Sequence, residues 1–324
     1  MSHRPVRLLT MLLTTFLSGV LTAGLTLVAT PGSAAGAAVS AAVSKDTGLL
    51  AFVRSNQIYT ATTAGGSVTR LTTSGKNYRP HWSPDGKRIA YVHEAPAGHR
   101  DIWVMKANGT GKQQVTRLGD TTEPTWSPDG TWLAFGASGT PPYDAAFDRP
   151  LQKIRSTAPF GKPVVLPTGD LDALVAGTLA WSPDGKQIAF ASNTYPFSPD
   201  HFLLTYTLAT HEVELVDMVG GSCCGAGSFA DPTWTNDSRS IAYSVTRYDF
   251  GDPVPAGPHL EIASMAGTPV PAFPNVTGDS DLDYSPTGKK VVFRHFSRVF
   301  VANADGTGRK NLLQGTNPDW QPVS

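Results

Sequence analysis

The strongest constraint on this chain is a twelve-residue pattern that returns five times: PHWSPDGKRIAY from Pro80, PTWSPDGTWLAF from Pro124, LAWSPDGKQIAF from Leu179, PTWTNDSRSIAY from Pro232 and LDYSPTGKKVVF from Leu282. Each copy reads as a short strand ending in Trp or Tyr, a tight turn and a second strand. In the turn, Pro fixes φ, Asp bonds its own backbone and Gly takes the positive φ. A third strand follows, as in Asp101–Met105 and Arg298–Val301, then a glycine-rich turn and a fourth strand such as Gln114–Leu118. Four strands per repeat make a blade, and blades repeated around an axis make a propeller.

A sixth copy, PDWQPV from Pro318, is cut short, while Leu49–Phe52 is a second-strand sequence with no WSPDG ahead of it. The two ends supply complementary parts of one blade. The reading is an all-β, six-bladed β-propeller of four-stranded antiparallel blades over residues 45–324, closed by pairing of the N- and C-terminal strands. Trp82, Trp126, Trp181, Trp234, Tyr284 and Trp320 hold one place in every repeat, where an aromatic wedges between neighbouring sheets. Turn chemistry accounts for Asp85, Asp129 and Asp184 without a catalytic role.

These WSPDGKxIAF repeats, with turns of the ADGTG kind, resemble the WD-like repeats of TolB-type propellers over nearly all of the chain after residue 45. The resemblance implies that fold and an envelope setting. TolB proteins carry an α/β domain ahead of the propeller, and only about a dozen residues separate the expected cleavage site from the first strand here, so the reading is a TolB-like propeller lacking that N-terminal domain. Similar propellers precede the hydrolase domain of prolyl-oligopeptidase-like enzymes. No Gly-x-Ser-x-Gly nucleophile elbow occurs in this sequence, so a serine peptidase is excluded.

Residues 1–44 read as a signal peptide or membrane anchor plus a short linker: Arg4 and Arg7 precede an uncharged apolar stretch, Leu8 to Ala29, and Ala35-Gly36-Ala37 fits a cleavage site. The stretch of 22 residues is also long enough to span a bilayer uncleaved. Either way the protein is exported, to an extracellular, periplasmic or cell-envelope location, and its composition fits a bacterial source. Lys+Arg and Asp+Glu are both 26, so no net field attracts nucleic acid or an anionic membrane. Membrane association is confined to an uncleaved N-terminal segment.

Insertions gather on one face, in the second-to-third-strand and blade-to-blade connections, and loops on a rigid scaffold are where binding residues concentrate. Tyr143, Phe147, Arg149, Tyr195, Phe197, Tyr248 and Phe250 are the candidates there, suited to protein anchoring or sugar stacking or else to packing back over the ring. A channel mouth of Asn77, Arg79, Glu123, Asp231, Asp281 and Asn317 is expected just before the inner strands. Cys223 and Cys224 are adjacent, and a strained vicinal disulfide, a free pair and soft-metal ligands all remain open. Asp279, Asp281 and Asp283 alternate in a way that can ligate Ca²⁺, though without the glycine and terminal Glu of a helix-loop site. The histidines show no zinc spacing.

The functional expectation is a monomeric, non-catalytic exported scaffold that binds a protein or envelope glycan through its loop face, with no cofactor. The alternative is a lyase- or hydrolase-type enzyme with its site in the channel, dependent on Ca²⁺.

Overall fold

The computed structural model describes residues 46–137, 149–168, 175–193, 201–219, 227–247, 257–265 and 272–322. All of the described residues lie in one compact unit, Val43–Ser324. Among the described residues there are strands and no helices.

The first blade joins both ends of the unit. Strands β1 (Leu49–Arg54), β2 (Gln57–Thr62) and β3 (Thr69–Arg70) take the last strand, β23 (Thr316–Trp320), as their innermost neighbour. The closing pair is antiparallel, with Leu50 opposite Trp320 and Ala51 opposite Asp319. The second blade is β4 (Lys76–Trp82), β5 (Arg88–Glu94), β6 (Arg100–Lys106) and β7 (Gln113–Gln114). The third is β8 (Thr125–Trp126), β9 (Trp132–Gly136), β10 (Leu151–Arg155) and β11 (Val164–Val165). In the fourth, β12 (Val175–Trp181), β13 (Gln187–Asn193), β14 (His201–Thr207) and β15 (Val213–Val219) follow in order. The fifth shows β16 (Gly227–Trp234), β17 (Ser240–Arg247) and β18 (His259–Ser264) among its described residues. The sixth is β19 (Asp279–Tyr284), β20 (Lys290–His295), β21 (Arg298–Asn303) and β22 (Lys310–Gln314). The six-bladed propeller read from the repeats is the observed fold.

The core lies in the seams between blades. Each of the hydrophobic clusters draws on two consecutive blades: Ala51, Ile58 and Leu71 of the first meet Trp82, Ile89, Tyr91 and Met105 of the second. At the closing seam Val292, Val299 and Leu313 meet Leu50, Phe52 and Trp320. The repeat aromatic stands in the seam facing the preceding blade, with Trp126 and Trp234 6 % and 4 % exposed. Its indole N–H can also tie the seam: Trp126 Nε1 donates to the His81 carbonyl at 2.9 Å and Trp234 Nε1 to the Ala180 carbonyl at 3.1 Å.

The SPDG turns behave as their chemistry requires. Gly86 has φ 64° and donates its N–H to the Ser83 carbonyl. Ser83 Oγ and the Lys87 N–H both donate to Asp85 Oδ1, and the same arrangement recurs at Ser127, Asp129 and Thr131 and at Ser182, Asp184 and Lys186. The acids of the repeat are thus bound into their turns.

Candidate functional site

Four of the inner strands meet the axis with a bulge. The ladder slips between Tyr78 and His81, Ala176 and Leu179, Ala230 and Thr233, and Ser280 and Asp283. At the matching position, three residues before the seam aromatic, Arg79, Asp231, Asp281 and Asn317 have φ of 51°, 53°, 52° and 46°. This left-handed region is costly for side chains other than Gly, Asn or Asp, and bulges of this kind re-aim side chains. The result is two tiers around the axis. The lower one holds Arg79, Glu123, Asp231, Asp281 and Asn317, and the upper one, a residue before each aromatic, holds His81, Thr125, Ala180, Thr233, Asp283 and Asp319.

Both tiers line an axial funnel of about 390 Å³ that continues past the seam aromatics to Pro84, Pro128, Pro183, Asn236, Pro286 and Pro322 of the first-to-second-strand turns. Among the described residues it therefore reaches the tight-turn face.

Arg79 spans the lower tier. From the second blade its Nη1 crosses the axis to Asp231 Oδ1 on the opposite, fifth blade, and lies 3.3 Å from Asp281 Oδ1 and 3.5 Å from Glu123 Oε2. Arg294 Nε holds the other Asp281 oxygen at 2.9 Å. Burial opposes the Arg79 charge, but Asp231, Glu123 and Asp281 more than offset it and raise the pKa above the ordinary value. Burial also opposes ionisation of Asp231, yet Arg79 outweighs it and holds that carboxyl below the usual range. At Asp281 burial prevails, reinforced by the Asp231 charge, and the carboxyl is raised.

In the upper tier His81 bridges two carboxylates, Glu123 Oε1 through Nε2 and Asp319 Oδ1 through Nδ1 at 3.2 Å. Burial disfavours the imidazolium, but the Glu123 charge and the Asp319 hydrogen bond overcome it and push the pKa up to about 10. Asp283 accepts the Trp320 and Tyr284 backbone N–H groups at 2.7 and 2.9 Å. Burial and the charge of Asp319 raise its pKa above the carboxylate range.

A common pattern runs through these contacts. The Trp82 N–H donates to Asp319 Oδ2 at 2.6 Å, the Trp320 N–H to Asp283 Oδ2 at 2.7 Å and the Trp181 N–H to Thr125 Oγ1 at 3.2 Å. The Asp231 N–H donates to Thr178 Oγ1 at 2.8 Å and the Asn317 N–H to Asp281 Oδ2 at 3.2 Å. In each case an inner-strand side chain of one blade accepts from the inner strand of the next, and all but Thr178 line the cavity, so these polar groups stitch the ring. Among the described residues, three buried polar atoms of the lining, Trp82 Nε1, Trp320 Nε1 and Glu123 Oε2, have no hydrogen-bond partner.

The other expected residues fall elsewhere. Arg79, Glu123, Asp231, Asp281 and Asn317 do meet at the channel, but Arg79, Asp231, Asp281 and Asn317 stand inside the inner strands and not ahead of them. Asn77 does not join them: it is buried against Gln57, the Ser74 carbonyl and His93 Nδ1. Asp279, Asp281 and Asp283 occupy three separate settings, since Asp279 is fully buried under both Arg309 guanidinium nitrogens, each at 2.7 Å, and His295. Among the described residues no group of three His, Cys, Asp or Glu is placed to hold a metal ion. Arg149 pairs with Asp120 at 2.8 Å, beside Arg100. Tyr143, Phe147, Tyr195, Phe197, Tyr248, Phe250, Cys223 and Cys224 lie outside the described residues. Sequence reasoning missed His81, Thr125 and Asp319; the residue just before each repeat aromatic was the available signal.

The sign of the pH dependence follows from these shifts. His81 binds its proton more tightly folded than at its ordinary 6.5, and Asp281 and Asp283 bind theirs more tightly than at 3.8. The folded state therefore holds more protons, and stability falls as pH rises, for the carboxyls above about 4 and for His81 from about 6.5 through about 10. Thermal unfolding followed from pH 6 to pH 10 is expected to show a declining Tm, with a shallower decline in His81→Gln. A flat or rising profile would contradict the assignment.

The TolB beta propeller domain family matches residues 30–138. Among solved structures, TolB from Acinetobacter baumannii is 22 % identical, over 85 % of this chain and 67 % of that one, with a TM-score of 0.66. A putative TolB from Agrobacterium tumefaciens is 18 % identical over 86 % and 83 % of the two chains, with a TM-score of 0.51. The tricorn protease is 11 % identical, over 83 % of this chain and 33 % of its own, with a TM-score of 0.52. No curated protein matches the sequence. Likeness at these identities speaks for the fold, a TolB-like propeller.

Proposed function

We propose that this TolB-like six-bladed propeller is an exported, non-catalytic scaffold that holds a protein partner at the mouth of its axial funnel. The observation that supports the reading is how the funnel's polar groups are committed. Asp281, Asp283, Asp319 and Thr125 each use an oxygen on the neighbouring blade's backbone, and Arg79 and His81 are each held between carboxylates. A general base or nucleophile needs freedom to reach a substrate proton or carbon, whereas groups fixed in this way give a receptor of set shape and charge. Export rests on the basic and apolar character of residues 1–44.

The test is affinity capture from a cell-envelope extract with three purified proteins of verified fold. These are the wild type, Thr233→Trp, which fills the funnel, and a Tyr143→Ala/Phe197→Ala/Tyr248→Ala/Phe250→Ala variant. A protein captured by the wild type and by the loop variant, but lost by Thr233→Trp, is the expected outcome. Loss confined to the loop variant moves the contact to the opposite face. No capture, or equal capture by all three, overturns the scaffold reading.

A further inference from the structure

We propose that the funnel is a receptor for a cationic side chain, a lysine or arginine at the tip of a protein segment, with Asp283 as its counter-charge. This rests on the partner-binding reading above and names the chemistry of the guest. Three observations converge on it.

The first is the charge of the cavity wall. It carries five acids, Glu123, Asp231, Asp281, Asp283 and Asp319, against the two bases Arg79 and His81. Arg294 adds one cation, from behind Asp281. The cations are not shared evenly. Arg79 and Arg294 serve the lower tier, and His81 serves Glu123 and Asp319. Asp283 receives only backbone N–H donors, and among the described residues it has no ion pair. Without a counter-ion the half-buried Asp283 carboxyl keeps its proton above the usual carboxylate range, and a cationic guest supplies the charge that lets it ionise.

The second is an acceptor with unused capacity. Glu123 is 8 % exposed and lines the cavity, yet its Oε2 accepts no hydrogen bond, lying 3.5 Å from Arg79 Nη1 in an ion pair alone. An ammonium or guanidinium brings several N–H donors and no acceptor, which suits a wall of carboxylate oxygens.

The third is the shape and lining. Asp283 sits between Tyr284, the next residue, and Trp320, whose N–H it accepts, and both residues line the cavity. Towards its outer end the cavity is lined by Pro84, Pro128, Pro183, Pro286 and Pro322, apolar surface along which the aliphatic stem of Lys or Arg can lie. At about 390 Å³ the space takes one or two side chains and excludes a folded element, so the guest is the tip of a loop or a chain end. An anionic guest finds no cation left over, because Arg79 and His81 are both engaged by carboxylates.

The test uses the purified protein and three five-residue probes of the form Gly-Gly-X-Gly-Gly, in which X is lysine, its uncharged isostere norleucine, or glutamate. Indole N–H resonances in a ¹⁵N-labelled sample report on Trp82 and Trp320. The lysine probe is expected to shift them saturably, with binding weakened at least tenfold by Asp283→Asn and by raising the salt from 50 mM to 500 mM. Asn keeps an oxygen to accept the Trp320 N–H, and an unchanged Tm shows that the seam is intact. The glutamate and norleucine probes are expected to leave the indoles unmoved. Equal response to lysine and norleucine, an undiminished response in Asp283→Asn, or no response at millimolar lysine probe overturns the proposal. If the captured partner is lost by Thr233→Trp but retained by Asp283→Asn, the scaffold reading survives and the cationic guest alone falls.

Discussion

Deleting the last eight residues, 317–324, is expected to abolish cooperative unfolding and leave a chain without a fixed near-ultraviolet signature. The segment contains most of β23, which pairs with β1 and places Trp320, 3 % exposed, in the closing seam with Leu50, Phe52 and Val292. Losing such an aromatic costs about 3–5 kcal/mol by itself, against a total stability of about 5–15 kcal/mol for a folded domain. Further losses come with it. Asp319 no longer accepts the Trp82 N–H, Gln321 no longer donates to the Gly86 carbonyl, and Asp283 is left without the Trp320 N–H. β1 then becomes an exposed sheet edge, which invites aggregation. Trp320→Phe should remain folded with a reduced Tm, since it keeps the strand and part of the wedge. A truncated protein that unfolds in a single sharp transition near the wild-type temperature would show that the ring does not depend on its clasp.

The second large effect is expected at Arg79. Replacement by Met removes the cation that Asp231, Asp281 and Glu123 share at depth, and taking one partner from a buried ion pair costs about 3–5 kcal/mol because the remaining charge is uncompensated. Without the guanidinium, burial leaves Asp231 and Asp281 binding protons more tightly folded than unfolded. The folded state then holds the extra protons, so the variant regains stability as pH falls towards 5 and loses it as pH rises. Asp231→Asn in the same background should restore part of the loss, giving a coupling energy in a double-mutant cycle. Chemical denaturation at pH 5 and pH 8 measures both. A loss below about 1 kcal/mol that does not change with pH would mean that the cluster is solvated well enough to do without Arg79.

The repeat carried the architecture because the features that build it are local. Trp82, Pro84, Asp85 and Gly86 act within a few residues of one another, and the split repeat at Pro318 and Leu49 disclosed the closure. The funnel was only half legible, for two physical reasons. Arg79 and Asp231 are 152 positions apart and meet only because their blades face each other across the axis. The bulge between Tyr78 and His81 also inverts the strand's alternation, so Asn77, which strict period-two reading places beside Arg79, turns instead to Gln57 and His93. The same slip between Ser280 and Asp283 separates Asp279 from Asp281 and Asp283. A left-handed Arg has no signature in the sequence, since that conformation is imposed by the ring.

The stitched lining has a bearing on how such a protein can diversify. At three seams the inner edge presents one oxygen within reach of the neighbour's N–H, and Thr125 supplies it as Asp283 and Asp319 do. Hydroxyl and carboxylate are interchangeable as acceptors but differ by a full charge. The electrostatic character of the axis can therefore be rewritten one position at a time, by exchanges between Asp and Thr, while the joints of the ring stay closed.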